Sequence, residues 1–259
     1  MRDSNQRQQI AHFPAATGPY KVVLNSPSIW RDYSICRLQI SVGKPKHEGD
    51  KFFALTEWAA ARFDKIYLIV SDTLQRHNLA LEMGIDLSEA YTVAQTKGHE
   101  WLRDNKRAID NIPTHRRIIT MWDDWMSHAE YAETRIAINV LYTHSPLFKA
   151  AIDAKADEFC RRQADNGSIV HDSRPEAFET SVRYILEEVA AFGIMLRQQP
   201  VLDIYPGHWF KDIFDVLAQT SKLPLLSGFG QPAFINVDYK TNKGAISPFR
   251  PQSLKLDSK

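Results

Sequence analysis

The stretch from Tyr33 to Thr73 limits what this chain can become more than any other, because its hydrophobic period changes twice within it. Tyr33-Ser-Ile-Cys-Arg-Leu-Gln-Ile40 alternates apolar and polar side chains, the period of a strand with one face on a core. Gly43 and Pro45 stop that run, and from Glu48 onward Phe52, Phe53, Leu55, Trp58, Ala59 and Phe63 recur at the spacing of a helix. Lys65–Val70 is then a continuous β-branched and aromatic run, typical of a buried parallel strand. Strand, helix and strand in this order predict an α/β crossover, with Ser41 where the first strand hands over to the helix.

The remainder repeats the alternation. A helix is predicted over Leu87–Asp110 and a strand over Arg117-Ile-Ile-Thr-Met-Trp122, after Pro113. From Trp125 to about Ala164 the pattern is helical, interrupted near His144-Ser-Pro146 and closed by a turn at Asp165-Asn-Gly167. A further helix fits Arg174–Leu196, with Pro175 in its first turn and Glu176 and Glu179 near its positive end. Val201–Ile204 reads as a short strand, Gly207–Thr220 as a helix and Ala233–Val237 as a last strand. Together these predict an α/β fold with a doubly wound parallel sheet. Its single domain runs from 34 to 240, between a loose arm over 1–33 and a polar tail over 241–259. The arm is broken by Pro14, Gly18, Pro19 and Pro27 around the short apolar piece Tyr20–Leu24.

Composition serves mainly to exclude. At 259 residues the chain can bury a sizeable core as one domain, and it has no apolar run long enough for a membrane span. The N-terminus lacks the apolar segment of a secretory signal. Cys36 and Cys160 offer neither metal-ligand spacing nor a disulfide framework, so a cytoplasmic location is expected. A net charge of +1 gives no global attraction to nucleic acid, so any RNA binding needs a local patch.

Several positions could carry chemistry. At the carboxyl end of a parallel strand, Ser41 faces the free N–H groups and positive dipole of the next helix; taken alone it also reads as a turn serine or helix cap. Tyr184 and Glu188, four apart, share one helix face, where a half-buried tyrosine beside a solvated glutamate is the plainer reading. Tyr205-Pro206 closes a strand before a helix and could be an ordinary turn. Arg37 and Gln39 lie on the same strand face as Ser41. Lys97, Arg103, Lys106 and Arg107 make one helical segment basic, either as a solvated face or as a site for phosphates. His47-Glu48 does not begin a His-Glu-x-x-His zinc helix, since Lys51 stands where the second histidine belongs. No Gly-x-Ser-x-Gly elbow surrounds Ser41, which disfavours an α/β-hydrolase.

In chain order, Ile40-Ser-Val-Gly43, the helix ending Glu57-Trp58-Ala-Ala-Ala-Arg-Phe63, Tyr184-Ile-Leu-Glu-Glu188 and Tyr205-Pro206 resemble the cyclodipeptide synthases. The resemblance covers Tyr33 to Tyr239. It implies a Rossmann-like fold similar to the catalytic domain of class I aminoacyl-tRNA synthetases, and it implies synthesis of a cyclic dipeptide from two aminoacyl-tRNAs. It makes Ser41 the nucleophile of a ping-pong scheme, Tyr184 and Glu188 the holders of the substrate amine, and Tyr205 the partner of the serine. With Ser41 as nucleophile, the backbone N–H groups around Val42–Lys44 are candidates for stabilising the oxyanion, and Gly43 and Lys44 count among the substrate-binding residues. Lys97, Arg103, Lys106 and Arg107 become the tRNA-binding face. The Tyr-Pro pair, with Lys44 where another branch has asparagine, resembles one of the family's two subfamilies. No His-x-Gly-His or Lys-Met-Ser-Lys-Ser signature is present, so the substrate is expected to arrive already activated. No cofactor and no metal are implied, and enzymes that tailor the product are expected as downstream partners. In the family, the strand face before the serine lines the first side-chain pocket. Arg37 and Gln39 there lead us to expect a polar residue in the product, an acidic one such as glutamate first; an apolar residue, with Arg37 paired to a protein carboxylate, is the alternative, and a polar neutral or basic residue held by Gln39 a further one. A serine hydrolase or acyltransferase of unknown substrate, or a tRNA-binding module with an inert Ser41, is the alternative.

Overall fold

Alternation along Ile35–Ser41, strand β2 once Tyr20–Leu24 is counted as β1, sorts its side chains onto two faces with different fates. Cys36, Leu38 and Ile40 are buried in a core with Phe52 and Leu55 of α1 (Gly49–Ala60) and with Phe63. Each such side chain, fully buried, stabilises the fold by roughly 1.5–3 kcal/mol. Arg37, Gln39 and Ser41 point the other way and are buried as well. The computed structural model describes residues 17–25, 29–165, 174–197, 200–207, 211–220 and 233–249.

The chain continues through β3 (Lys65–Ser71), α2 (Arg76–Met83), α3 (Leu87–Asp104), α4 (Lys106–Ile109), β4 (Arg117–Met121) and α5 (Trp122–Met126). Then come α6 (Tyr131–His144), α7 (Pro146–Asp165), α8 (Arg174–Arg197), β5 (Leu202–Tyr205), α9 (Lys211–Thr220) and β6 (Phe234–Thr241). One sheet runs β1-β6-β5-β2-β3-β4, parallel throughout except for the β1/β6 pair. A second core, with Trp122, Phe148, Ile152, Val189, Phe192 and Phe214, joins α5 through α9 to the opposite face of the sheet. Among the described residues no helix is long and apolar enough to cross a membrane.

From β2 the strands step outward through β3 to β4, while β5 and β6 lie on its other side. The order therefore reverses between β2 and β5, and a crevice opens beyond the carboxyl ends of strands at such a point. Ser41 ends β2 there and Tyr205 ends β5.

Four local expectations are corrected. Tyr20–Leu24 is an edge strand paired with Leu24 opposite Val237 and Tyr20 opposite Thr241, tied further by Asn242 N–H donating to Pro19 O at 2.7 Å. The apolar alternation of β6 recruits it. The predicted helix over Leu87–Asp110 breaks at Asn105, whose amide donates to Trp101 O at 3.0 Å and accepts from Gly49 N–H at 2.9 Å. That side chain competes with the helix ladder and ties it to the start of α1. Trp122 leaves the strand to open α5, its N–H donating to Asp72 Oδ1 at 3.0 Å. The tail is held as far as Phe249: Ser247 donates to Asp50 at 2.8 Å and Phe249 stacks edge-on against Phe53. The rest of the tail, residues 1–16 of the arm, the turn at Asn166-Gly167 and the start of the helix expected from Gly207 lie outside the described residues.

Helix α3 can lie close to the sheet edge because Gly98 has no Cβ. One placed there would stand 2.5 Å from Asp72 Cβ, nearer than real Cβ contacts come.

Candidate active site

Ser41 is 7% exposed, and its Oγ lies 3.3 Å from the Tyr205 hydroxyl across the point where the strand order reverses. Gly43, at φ +80°, turns the chain away directly after the strand, a conformation costly for any residue with a Cβ. A cavity of about 320 Å³ opens at the pair, lined by Ser41, Lys44, Gln75, Asn78, Tyr184 and Tyr205. Its far wall is α7, with Lys155, Glu158, Phe159 and Arg162. The structure thus brings Ser41, Tyr184 and Tyr205 together from three elements far apart in sequence.

Burial pushes the Tyr205 hydroxyl pKa upward, against the bond with Ser41, which lowers it; the charge of Glu188 adds to the rise. Burial, then the charge of Glu188, also raises Tyr184. Both phenols therefore stay protonated near neutral pH and can each donate and accept one hydrogen bond. Tyr184 Oη accepts from Gln75 Nε2 at 3.3 Å, and Gln75 Oε1 accepts from Asn78 Nδ2 at 3.0 Å. These two amides, on the turn after β3 and on α2, were not singled out by the sequence, where nothing distinguishes them from surface polar residues.

Glu188 shares the α8 face of Tyr184. Its Oε2 is buried and has no hydrogen-bond partner among the described residues. Burial first, then the negative charge of Glu187, pushes its pKa up to about 8, so the carboxyl is largely protonated at pH 7. Glu187 is the reverse case. Burial raises it too, but His77 and Arg76 more than offset this and hold it near 2. Arg76 contacts both of its oxygens, at 2.9 and 2.5 Å, His77 Nε2 lies at 3.1 Å, and Trp122 Nε1 donates at 2.9 Å.

Two expectations fail on geometry. Arg37 and Gln39 do not line the cavity. Arg37 donates through Nε and Nη2 to Asp203 at 2.9 and 2.7 Å and through Nη1 to Met195 O, while Gln39 Nε2 donates to Asp203 Oδ1 at 2.8 Å. The guanidinium of Arg37 is consumed by a carboxylate that is fully buried one strand away, in register opposite it. It is not left for an acidic substrate: the arginine is paired internally, as the alternative had it, and that Asp203 is the carboxylate was hidden because strand pairing is invisible in sequence. Likewise, within Val42–Lys44 the amides of Gly43 and Lys44 are engaged, by Glu48 Oε1 at 3.0 Å and Ser41 O at 3.3 Å, so these two are not free to meet an oxyanion.

On the outer side of the turn the basic residues lie exposed but in mixed company. Lys97 borders a groove of about 630 Å³ that also presents Glu48, Glu100 and Asp104. Arg103 pairs with Asp104 and Lys106 with Asp110, while Arg107 donates to Pro248 O. The break at Asn105 puts Lys106 and Arg107 on a separate short helix from Arg103. Among the described residues no three His, Cys, Asp or Glu side chains gather as a metal site.

This fold has counterparts. The sequence matches the family model described as cyclodipeptide synthase over residues 24–195. A solved structure of such a protein from Fluoribacter dumoffii superposes with a TM-score of 0.74 at 24% identity, covering 87% of this chain and 100% of that one. Another, from Candidatus Glomeribacter gigasporarum and described as bound to Phe-tRNAPhe, gives 0.61 at 18% identity over 86% of this chain and 94% of that one. A Mycobacterium tuberculosis protein, described as demonstrating that cyclodipeptide synthetases are related to type I tRNA synthetases, gives 0.58 at 14% identity. It spans 91% of this chain and 100% of its own. No curated protein sequence matches.

Proposed function

The chain belongs to the cyclodipeptide synthase family, enzymes that depend on aminoacyl-tRNA, and we propose that it joins two aminoacyl groups through an ester on Ser41. The observation that carries this reading is the meeting of Ser41 Oγ and Tyr205 Oη beside Tyr184, in the crevice where the strand order reverses.

In this reading Ser41 Oγ attacks the carbonyl of the first aminoacyl ester. The bond to the tRNA ribose oxygen breaks, and the serine proton passes by way of Tyr205 to that oxygen. The energy is already stored in the ester. The amine of the bound group sits between Tyr184 and Glu188. Meeting an ammonium, Glu188 becomes worth ionising, and afterwards the carboxylate can take a proton from an amine that must attack. The second aminoacyl-tRNA accepts the group from Ser41, with its nitrogen forming the new bond and the serine regaining a proton. The dipeptidyl ester then closes on itself, releasing tRNA.

The Tyr205-Pro206 pair supports placement in the Tyr-Pro subfamily. A polar product residue is now supported by Arg162 on the cavity wall in place of Arg37, beside Lys155 and Glu158, which pair with each other at 2.9 Å. Lys97, Arg103, Lys106 and Arg107 are the exposed cations we assign to the tRNA, and we place the enzyme in the cytoplasm, with tailoring enzymes consuming its product.

The test is a mass-spectrometric assay for cyclic dipeptides with purified protein and charged tRNAs. Product from the parent and none from a folded Ser41→Ala variant is expected. Free amino acid as the sole product would instead mark a hydrolase, and undiminished product from Ser41→Ala would remove Ser41 from the chemistry.

A further inference from the structure

A backbone donor at the end of a buried strand has to find a partner, and Ser41 ends β2 where one neighbouring strand has already left. β3 stays in register with β2 as far as Ser41 opposite Ser71. Pairing with β5 stops earlier, at Leu38 opposite Ile204. A side chain fills the gap. His47 Nδ1 accepts the Ser41 N–H at 3.2 Å, and the Gln39 backbone is a second hydrogen-bond partner of the ring. The ring lies on the β5 side, its centroid 5.1 Å from that of Tyr205.

The histidine is itself held firmly. It is 2% exposed, its N–H donates to Lys44 O at 2.8 Å, and its carbonyl accepts from Trp101 Nε1 at 3.0 Å. Burial pushes the imidazole pKa down to about 3, so the ring is neutral wherever the protein works. Its acceptor nitrogen meets the serine backbone and not Oγ, which leaves it no part in moving the hydroxyl proton. What it can do is hold two things still at once: the main chain of the nucleophile and the ring of the hydroxyl partner. Those two groups come from strands that are no longer paired at this height, so no ladder aligns them.

We propose that His47 is a positioning residue for the reaction, an imidazole standing in for the missing strand and fixing Ser41 relative to Tyr205. The proposal rests on Ser41 being the nucleophile. Because the cost of a misplaced attacking atom falls on the rate and not on the affinity, loss of His47 should appear in acylation alone, at about a hundredfold.

The experiment compares His47→Leu, His47→Asn and His47→Gln with the parent, reading the single-turnover rate of serine acylation and the affinity for aminoacyl-tRNA. Asparagine can carry an acceptor oxygen where Nδ1 stands; glutamine carries its amide about one bond further out. His47→Leu should slow acylation about a hundredfold with affinity unchanged, and His47→Asn should recover to within about tenfold of the parent. If the leucine variant does not fold, the two amides decide, with asparagine expected to be faster than glutamine by about tenfold. Equal rates for asparagine and glutamine, a parental rate for leucine, or a loss carried by affinity would overturn the proposal. Ser41→Ala, run alongside, separates the premises. Product from Ser41→Ala defeats the nucleophile assignment, whereas an inactive Ser41→Ala beside an unimpaired His47→Leu defeats only the role of His47.

Discussion

Glu187 and Glu188 are neighbours on α8, yet their surroundings differ in kind. Successive helical residues point about 100° apart, since the helix has about 3.6 residues per turn, so adjacent carboxyls can enter different regions. Glu187 enters a saturated cluster, with Arg76, His77 and Trp122 covering both oxygens. Glu188 enters the region of Tyr184 and Tyr205 and keeps a buried oxygen that is unpaired among the described residues. A buried charge with every lone pair satisfied holds a fold in place. A buried carboxyl oxygen left without a partner can still take one, and in the proposed reaction that partner is the substrate ammonium, reaching Glu188 from the cavity that Tyr184 and Tyr205 line. The saturated cluster also acts on the open one, because the charge of Glu187 helps keep Glu188 protonated.

The largest expected effect tests the open side. Glu188→Gln keeps the shape of a protonated carboxyl and removes its ability to ionise, so turnover should fall by about 10²–10⁴-fold. Its unfolding midpoint should stay level or rise. A variant that turned over at the parental rate would put Glu188 on the structural side with its neighbour.

Glu187→Ala should do the opposite. Removing one partner of a buried ion cluster strands Arg76 and His77, at a cost of about 3–5 kcal/mol in stability. Denaturant unfolding measures it. A loss below about 1 kcal/mol, within the range of ordinary surface substitutions or a little above, would mean that the cluster is decorative.

The pH dependence of stability sharpens the same contrast with opposite signs. Glu188 has a folded pKa of about 8 against 4.5 for the free side chain, so between these values the folded state binds the extra proton and stability falls as pH rises. Glu187, near 2 when folded, contributes stability present above 4.5 and lost as pH falls towards 2. Subtracting the Glu188→Gln profile from the parent's should isolate a decline across pH 5–8, and a flat difference would show that Glu188 is not raised.

This contrast also marks how much was legible in the chain. Periodicity located β2, α1, β3 and α8, and the spacing of Tyr184 and Glu188 put them on one helix face, because such patterns are local. The sequence could not say which of two adjacent glutamates would be paired, since Arg76 and His77 come from a distant helix. Arg37 shows the same limit: its place on the face of Ser41 and its need of a carboxylate were legible, but that Asp203 stands opposite it across the β2/β5 register, making that partner internal, was not. His47 was weighed only as a metal ligand, and its part in ending β2 depends on β5 stopping short, which is a property of the sheet. The break at Asn105 rests likewise on a tertiary bond to Gly49.

The central claim, that Ser41 carries the aminoacyl group, is tested most directly by intact-protein mass spectrometry after rapid mixing with a single charged tRNA. The account predicts a mass increase of one aminoacyl residue on the parent, mapped by fragmentation to Ser41, and none on Ser41→Ala. An adduct of the same size on Ser41→Ala, or product formed by a parent that never carries one, would contradict it.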